Sequence, residues 1–150
     1  MSPYALLQEE LNKDPWRIFV CCIFCNLTKR RSSEPYFWDF LKNWPTPEDA
    51  SKLDEHALKS LIQPLGLVDR RTRALKQMSI DYLEKDWKDD PTKLYGIGKY
   101  GSDAYRIFVK GEWREVIPTD SALKNYKSWL EETHARRTRS KNNSRLFKII

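Results

Sequence analysis

A glycine-rich run and one acid downstream of it are the residues of this 150-residue chain whose types and spacing could do chemistry. The run LYGIGKYG over residues 94–101 predicts a tight hairpin that opens into a helix from Tyr100 to Val109. Gly96 and Gly98 permit positive φ and close approach of the backbone to a ligand, and the amides of a helix start favour phosphate. Asp120, in the segment IPTD, places a lone carboxylate at a later helix start. The combination predicts an enzyme that grips a nucleic-acid backbone and does chemistry beside it.

The sequence predicts that helices of an all-α domain position these residues. Alternating β-type sequence is nearly absent, apart from a short stretch near residues 113–117. The helix from Trp16 is apolar almost all round, so we expect it to be the central buried helix. A basic loop, residues 29–31, follows it. The predicted helices are Tyr4–Leu11, Trp16–Thr28, Ser33–Leu41, Asp69–Glu84, Tyr100–Val109 and Asp120–Thr133, with further helix starts at Thr46-Pro47 and Asp54.

Composition favours one packed domain, because 40% of the residues are hydrophobic and six are Trp. The longest apolar run, residues 18–25, is too short to cross a bilayer, and the N-terminus does not match a signal peptide. We therefore expect a soluble intracellular monomer without a membrane partner. It would be nuclear in a eukaryote and cytoplasmic otherwise.

The net charge of +6 is concentrated at the C-terminus, because residues 135–150 hold six basic residues and no acid. We expect residues 1–134 to form the folded domain and residues 135–150 a flexible basic tail. Such a tail suits a polyanionic partner or nuclear import. A purely solvated segment is the alternative reading of the same pattern.

Three cysteines lie within about one helical turn, at Cys21, Cys22 and Cys25. No further Cys and no nearby His completes a metal-ligand set. We therefore expect no metal and no cofactor, and we interpret the cysteines as small buried side chains of the central helix.

The hairpin with its downstream P-x-D pattern resembles the helix-hairpin-helix–GPD superfamily of DNA glycosylases. Within it, the chain is most similar to the glycosylase domains of methyl-CpG-binding-domain thymine DNA glycosylases, over roughly Ser2–Trp129. The resemblance implies two helical lobes with a cleft between them. The four-cysteine iron–sulfur cluster of many members is not expected here. Further blocks that carry the resemblance are Ser2-Pro3 with Gln8, Asp14-Pro15-Trp16, Ile23-Phe24 with Asn26, Pro64–Leu67, Tyr105–Phe108, and Trp113 with Pro118 and Leu123.

The resemblance implies that Asp120 is catalytic and that Gln8 and Tyr100 line a pocket for a flipped-out base. A carboxylate beside the sugar stabilises a developing oxocarbenium ion and can orient or deprotonate water. Taken by themselves, Asp120 is a common helix cap and Gln8 an exposed helix residue.

The same resemblance implies a DNA-binding surface made of the hairpin, two apolar wedges and nearby basic residues. The hairpin amides would hold a phosphate while Lys99 adds a charge, and the leucines would fill the vacated space in the duplex. Leu67 alternatively packs under its own loop. Mammalian relatives carry Arg at position 27 and close relatives carry Lys at position 122, where this chain has Ala122. The implied DNA-binding residues are Leu27, Leu67, Gly96, Gly98, Lys99, Gly101, Arg30 and Arg31.

Tyr100 occupies the position at which bifunctional relatives such as endonuclease III carry a nucleophilic lysine. Tyrosine has no amine for a Schiff base. The resemblance therefore implies a monofunctional glycosylase that removes thymine, uracil or a related damaged pyrimidine paired with guanine in double-stranded DNA. The alternatives are a catalytically silent DNA-binding module, a glycosylase with another base preference such as adenine, and an all-α scaffold that binds protein.

Overall fold

The computed structural model describes residues 1–148, and Ile149 and Ile150 of the predicted tail lie outside the described residues. The described chain is helical and contains no strand, which confirms the all-α prediction; residues 113–115 form a turn. The α-helices are α1 (Pro15–Cys25), α2 (Arg30–Asn43), α3 (Pro47–Ser51), α4 (Glu55–Ile62), α5 (Val68–Glu84), α6 (Lys99–Phe108) and α7 (Ser121–Phe147), and the 3-10 helices are Leu7–Glu10, Gln63–Leu65 and Pro91–Lys93.

Four helix starts follow directly from local capping residues. The side chains of Asp14, Thr46, Asp54 and Asp120 each accept a hydrogen bond from a main-chain amide in the first turn. Such a bond satisfies an amide that has no partner within the helix. These starts were therefore predicted correctly from the sequence.

Helix α1 is the centre of the core, as predicted. Its residues from Ile18 to Phe24 are all buried, and it packs against α2, α5 and α6. Phe19 lies edge-on to Trp87 at 5.4 Å between ring centroids, and Trp87 stacks on Tyr82 at 4.8 Å. Because other elements cover α1 on all sides, its packing fixes where the following loop begins.

The helices form two groups around α1. Helices α2 to α5 pack on one another, while the N-terminal 3-10 helix packs against α6. The beginning of α7 joins the second group, where Leu123 is buried and Tyr126 lies 4.9 Å from Phe108 between ring centroids. A cleft opens where the N-terminal 3-10 helix, the loop after α1 and the starts of α6 and α7 meet.

The prediction of a helix over Tyr4–Leu11 was wrong, because only Leu7–Glu10 forms a 3-10 helix. Glu9 turns back and accepts hydrogen bonds from the amides of Ser2 and Leu6, at 2.7 and 2.8 Å. These bonds satisfy the main chain in a way that competes with a continuous helix.

The basic residues 29–31 do not form a loop as predicted. Helix α2 begins at Arg30, with Lys29 as its extended capping residue, and Pro35 lies inside the helix. Proline removes one hydrogen bond to the carbonyl of Arg31. Both residues are exposed, so water can satisfy that carbonyl.

The last helix does not end near Thr133, because α7 continues to Phe147. Most of the basic segment therefore extends the helix, and its residues 135–148 are all exposed. Over residues 1–148 no helix is both long enough and apolar enough to cross a membrane.

Asp81 on α5 fastens the glycine hairpin to the fold. Its Oδ2 accepts the main-chain amide of Tyr95 at 2.9 Å and the ammonium of Lys85 at 3.2 Å, while Oδ1 accepts Gln77 at 2.9 Å. Burial alone would raise the pKa of Asp81, but these hydrogen bonds outweigh it and the pKa lies below its usual value.

We expect Asp81→Asn to lower the free energy of unfolding by about 1–3 kcal/mol at neutral pH, since an amide cannot replace a charged acceptor. A carboxylate whose pKa is depressed in the folded state stabilises it above the unfolded pKa of about 3.9, and the effect is lost as the pH falls through the folded pKa. The difference in free energy of unfolding between wild type and variant should therefore reach its full size at about pH 5–7 and shrink below about pH 4. Urea unfolding at several pH values measures this, with the exposed Asp89→Asn as the matched control.

Candidate active site and nucleic-acid interface

One cleft of about 340 Å³ brings together the three side chains predicted to form the catalytic site. Gln8, Tyr100 and Asp120 all line it, although they come from three distant parts of the chain. The predicted DNA-binding residue Arg30 lines the same cleft. The tertiary structure therefore brings together side chains that the sequence only predicted to act in one site.

Gln8 and Tyr100 form a hydrogen-bonded pair in the wall of the cleft. The Gln8 Nε2 donates to the Tyr100 Oη at 2.9 Å. Burial, reinforced by the nearby Cys22 thiol, raises the pKa of Tyr100 far above its usual range, so the phenol is neutral. Because its oxygen accepts from Gln8, its own O–H can donate to a second group.

Asp120 is both a helix cap and a wall of the cleft. Its Oδ2 accepts the amide of Leu123 at 3.0 Å, at the first turn of α7. Within residues 1–148, no donor engages its Oδ1. The two readings of Asp120 are therefore compatible, because one oxygen caps the helix and the other is available to a ligand.

Two lysines hold the segment that leads into Asp120. The Lys99 Nζ donates to the carbonyl of Ile117 at 2.8 Å and pairs with the carboxylate of Asp103 at 2.5 Å. From the other side, the Lys127 Nζ donates to the carbonyl of Val116 at 2.5 Å. Lys99 thus ties the hairpin helix to the approach to Asp120.

The glycine hairpin presents the start of α6 at a recess of about 230 Å³. The first amides of α6 have no acceptor within the helix. Gly96 has φ of 78°, but Gly98 has φ of −106°, so only one of the two predicted positive-φ glycines is found. Space around Gly98 is open, which lets a ligand approach the backbone. A Cβ at Gly101 would lie 2.8 Å from Cγ2 of Ile97, so this glycine serves packing.

Both predicted wedges are exposed leucines in the left-handed backbone region. Leu27 is 78% exposed with φ of 58°, and Leu67 is 46% exposed with φ of 50°. Leu67 lines a groove with Gly96 and Asn26, and both of these also line the hairpin recess. We call the two loops that carry Leu27 and Leu67 the wedge loops. The wedge loops, the hairpin and the cleft therefore adjoin one another along one face.

The two arginines at the start of α2 differ in their surroundings. Arg30 pairs with Glu34 at 3.1 Å and Glu10 at 3.6 Å, while Arg31 is exposed and lies outside the cleft lining. Lys29, which lies in the same basic segment, also lines the cleft.

The cysteines fit their predicted role in part. Cys21 and Cys22 are buried, and burial raises the pKa of the Cys22 thiol above its usual range. Cys25 is only partly buried and lines the cleft, because it lies at the last turn of α1. The described residues 1–148 contain no cluster of His, Cys, Asp and Glu that could hold a metal ion.

Several residues important to this face were not selected from the sequence. Asp81, Lys127 and Arg71 act by binding main-chain groups of loops, and Asn26 joins two recesses. No local pattern marks such residues, since their partners lie in loops outside the helix that carries each of them. Only the Asn26 position had a signal, as part of the resemblance.

This fold and site define a member of a known DNA-repair family. Residues 20–150 match the family described as HhH-GPD superfamily base excision DNA repair protein. The chain belongs to that superfamily, which confirms the predicted recognition and fold class.

The chain is similar in sequence to three proteins whose names describe them further. The chain is 37% identical over 129 residues to a methyl-CpG-binding domain protein 4-like protein of Arabidopsis thaliana, covering 86% of this chain and 29% of the relative. It is 26% identical over 106 residues to a thymine/uracil-DNA glycosylase of Pyrobaculum aerophilum, covering 66% of this chain and 46% of the relative. A thymine-DNA glycosylase of Aeropyrum pernix is 27% identical over 94 residues, covering 58% and 42%. The chain thus spans less than half the length of each of these relatives.

We expect Lys99→Met to slow the base excision proposed below by about 10- to 100-fold, because it releases the segment before Asp120, and a small displacement of a carboxylate predicted to be catalytic is costly. A phosphate contact would contribute about 0.9 to the slope of log affinity against log salt. We expect that slope to stay unchanged, since the ammonium is held by Asp103 and the Ile117 carbonyl. Single-turnover excision and a salt titration measure the two effects, with exposed Lys88→Met as the control. A lower slope with an unchanged rate would contradict the positioning role.

Proposed function

We propose that this protein is a monofunctional DNA glycosylase that flips thymine, uracil or a related damaged pyrimidine out of a pair with guanine and excises it. The observation that carries the proposal is the single cleft lined by Gln8, Tyr100 and Asp120. Membership of a base excision repair superfamily supports the reaction class. The relatives from Pyrobaculum aerophilum and Aeropyrum pernix are named a thymine/uracil-DNA glycosylase and a thymine-DNA glycosylase, which supports thymine and uracil as substrates.

The chemistry of the pocket suits a pyrimidine edge. An amide and a neutral phenol offer both donors and acceptors, which match the alternating carbonyl oxygens and N–H of thymine or uracil. The Tyr100 hydroxyl donates to a base carbonyl while Gln8 holds its oxygen. Gln8 is buried and Tyr100 is partly buried, which strengthens these bonds because water competes less for them.

Asp120 supplies the charge needed at the sugar. As the bond between the base nitrogen and C1′ breaks, positive charge develops on the sugar, and a carboxylate beside it stabilises that charge. Water then bonds to C1′ and gives its proton to Asp120, and the departing base takes up a proton from solvent. The product is a free base and an abasic site in an uncut strand.

The backbone of the DNA would be held by main-chain groups. The open hairpin amides of α6 bind a phosphate without reading sequence. Leu27 and Leu67 enter the stack where the base has left. The exposed basic residues of the α7 extension add positive charge that favours a polyanionic partner.

We expect Asp120→Asn to reduce single-turnover excision by at least about 10²-fold, because the negative charge and the base for water are both lost. Folding should survive with a loss of about 1 kcal/mol or less, since Asn also caps helices. DNA binding should persist, because the hairpin is untouched. Excision of thymine or uracil opposite guanine, followed by alkali and strand analysis, measures the rate.

Asp54→Asn is the matched control, since Asp54 also caps a helix but lies outside the cleft. A folded Asp120→Asn protein that excises at the wild-type rate would show that Asp120 is only a cap. Tight DNA binding without excision by the wild type would favour the silent binding module instead.

We expect strand breaks only after alkali or heat, and no covalent adduct on borohydride treatment, because Tyr100 has no amine. The cleft also contains Lys29, so the control is Lys29→Ala. An adduct with the wild type that disappears in Lys29→Ala would overturn the monofunctional assignment and identify the nucleophile.

A further inference from the structure

Arg71 is a buried cation that the proposed reaction does not use. It lies in the first turn of α5 and is 3% exposed. No carboxylate of residues 1–148 forms an ion pair with it, although burying an unpaired charge is unfavourable. Its neighbours must therefore compensate the charge in another way.

The guanidinium is held by neutral oxygens from two separate loops. Its Nη1 donates to the carbonyls of Gly66 at 2.8 Å and Leu65 at 3.4 Å. Its Nη2 donates to the carbonyls of Asn26 at 3.3 Å and Phe24 at 3.4 Å and to the Thr28 hydroxyl. The second group lies at the C-terminal end of α1, where the helix dipole is negative, so this end takes the place of a counterion.

The two loops held by Arg71 are those that carry the exposed leucines. Leu27 lies between Asn26 and Thr28, and Leu67 follows Gly66 directly. Both leucines have positive φ, which is unfavourable for a side chain with a Cβ and persists only where surrounding contacts impose it. The bonds of Arg71 are such contacts, and they reach the residues beside each leucine.

We propose that Arg71 is a positioning residue that clasps the two wedge loops, so that Leu27 and Leu67 enter the duplex as one unit. The proposal rests on the proposed function, because it assigns the residue a part in base flipping. Arginine suits the role, since its planar fork donates in two directions at once. A lysine keeps the charge but offers one nitrogen, which cannot reach both loops.

The test uses a duplex with 2-aminopurine beside the mismatched pyrimidine, whose fluorescence rises when the stack opens. Measurements use Asp120→Asn as the background, so that the base is not removed during the reading, at saturating protein. Arg71→Lys and Leu67→Ala are introduced singly and together, and urea unfolding confirms that each variant is folded. Arg17→Lys, at a side chain that is 38% exposed and remote from both loops, is the matched control for an arginine-to-lysine change.

When Arg71 is intact, we expect Leu67→Ala to lower the equilibrium constant for opening the stack. When Arg71 is replaced by lysine, the same change should have an effect at least about threefold smaller, because the effects of coupled residues are not additive. Leu27→Ala should behave in the same way. Independent effects of the two changes, or an unchanged equilibrium in Arg71→Lys, would overturn the clasp and leave the glycosylase function intact. A loss of stability alone would not produce the coupling. If the unsubstituted chain neither opens the stack nor excises the base, the proposed function itself fails.

Discussion

The burial of α1 on every side is the constraint on which the rest of the structure depends. Its apolar residues leave no face for solvent, so α2, α5 and α6 must all pack against it. This packing fixes the position of the C-terminal end of α1, which lies between the cleft and the wedge loops. Cys25 consequently faces the cleft, and Leu27 projects from the loop that follows. Core packing, more than any local feature, sets the geometry of the functional face.

The face that carries the cleft, the glycine hairpin and the two leucine loops is built largely of loops. Loops lack the regular hydrogen bonds that hold helices together. This fold supplies those bonds from charged side chains of neighbouring helices. Asp81 accepts the amide of Tyr95, Lys99 and Lys127 donate to the segment before Asp120, and Arg71 donates to two loops. Each contact satisfies a main-chain group and restricts a loop that carries one of the predicted site residues. Charged side chains of the helices, both acidic and basic, therefore fix the loops of this face.

Local signals in the sequence predict the structure correctly where one residue acts within one turn. The caps at Asp14, Thr46 and Asp54 lie where they were predicted, and so does the buried helix between residues 16 and 25. The failures have a common cause, which is a contact or a continuation that local pattern does not encode. Glu9 binds the amide of Ser2 in place of a regular helix, and α7 runs past its last core contacts to Phe147.

The sequence by itself determined the helical class, the glycine hairpin and the acid at a helix start, because these depend on backbone preference and on neighbours within a few residues. Through the resemblance it also named the members of the site. Only the tertiary structure decided how they meet: the bond from Gln8 to Tyr100 joins residues 92 positions apart, and one oxygen of Asp120 caps α7 while the other remains available. The reach of Arg71 to both wedge loops was likewise beyond local pattern. Such contacts arise from the packing of whole helices, so no short stretch of residues contains them.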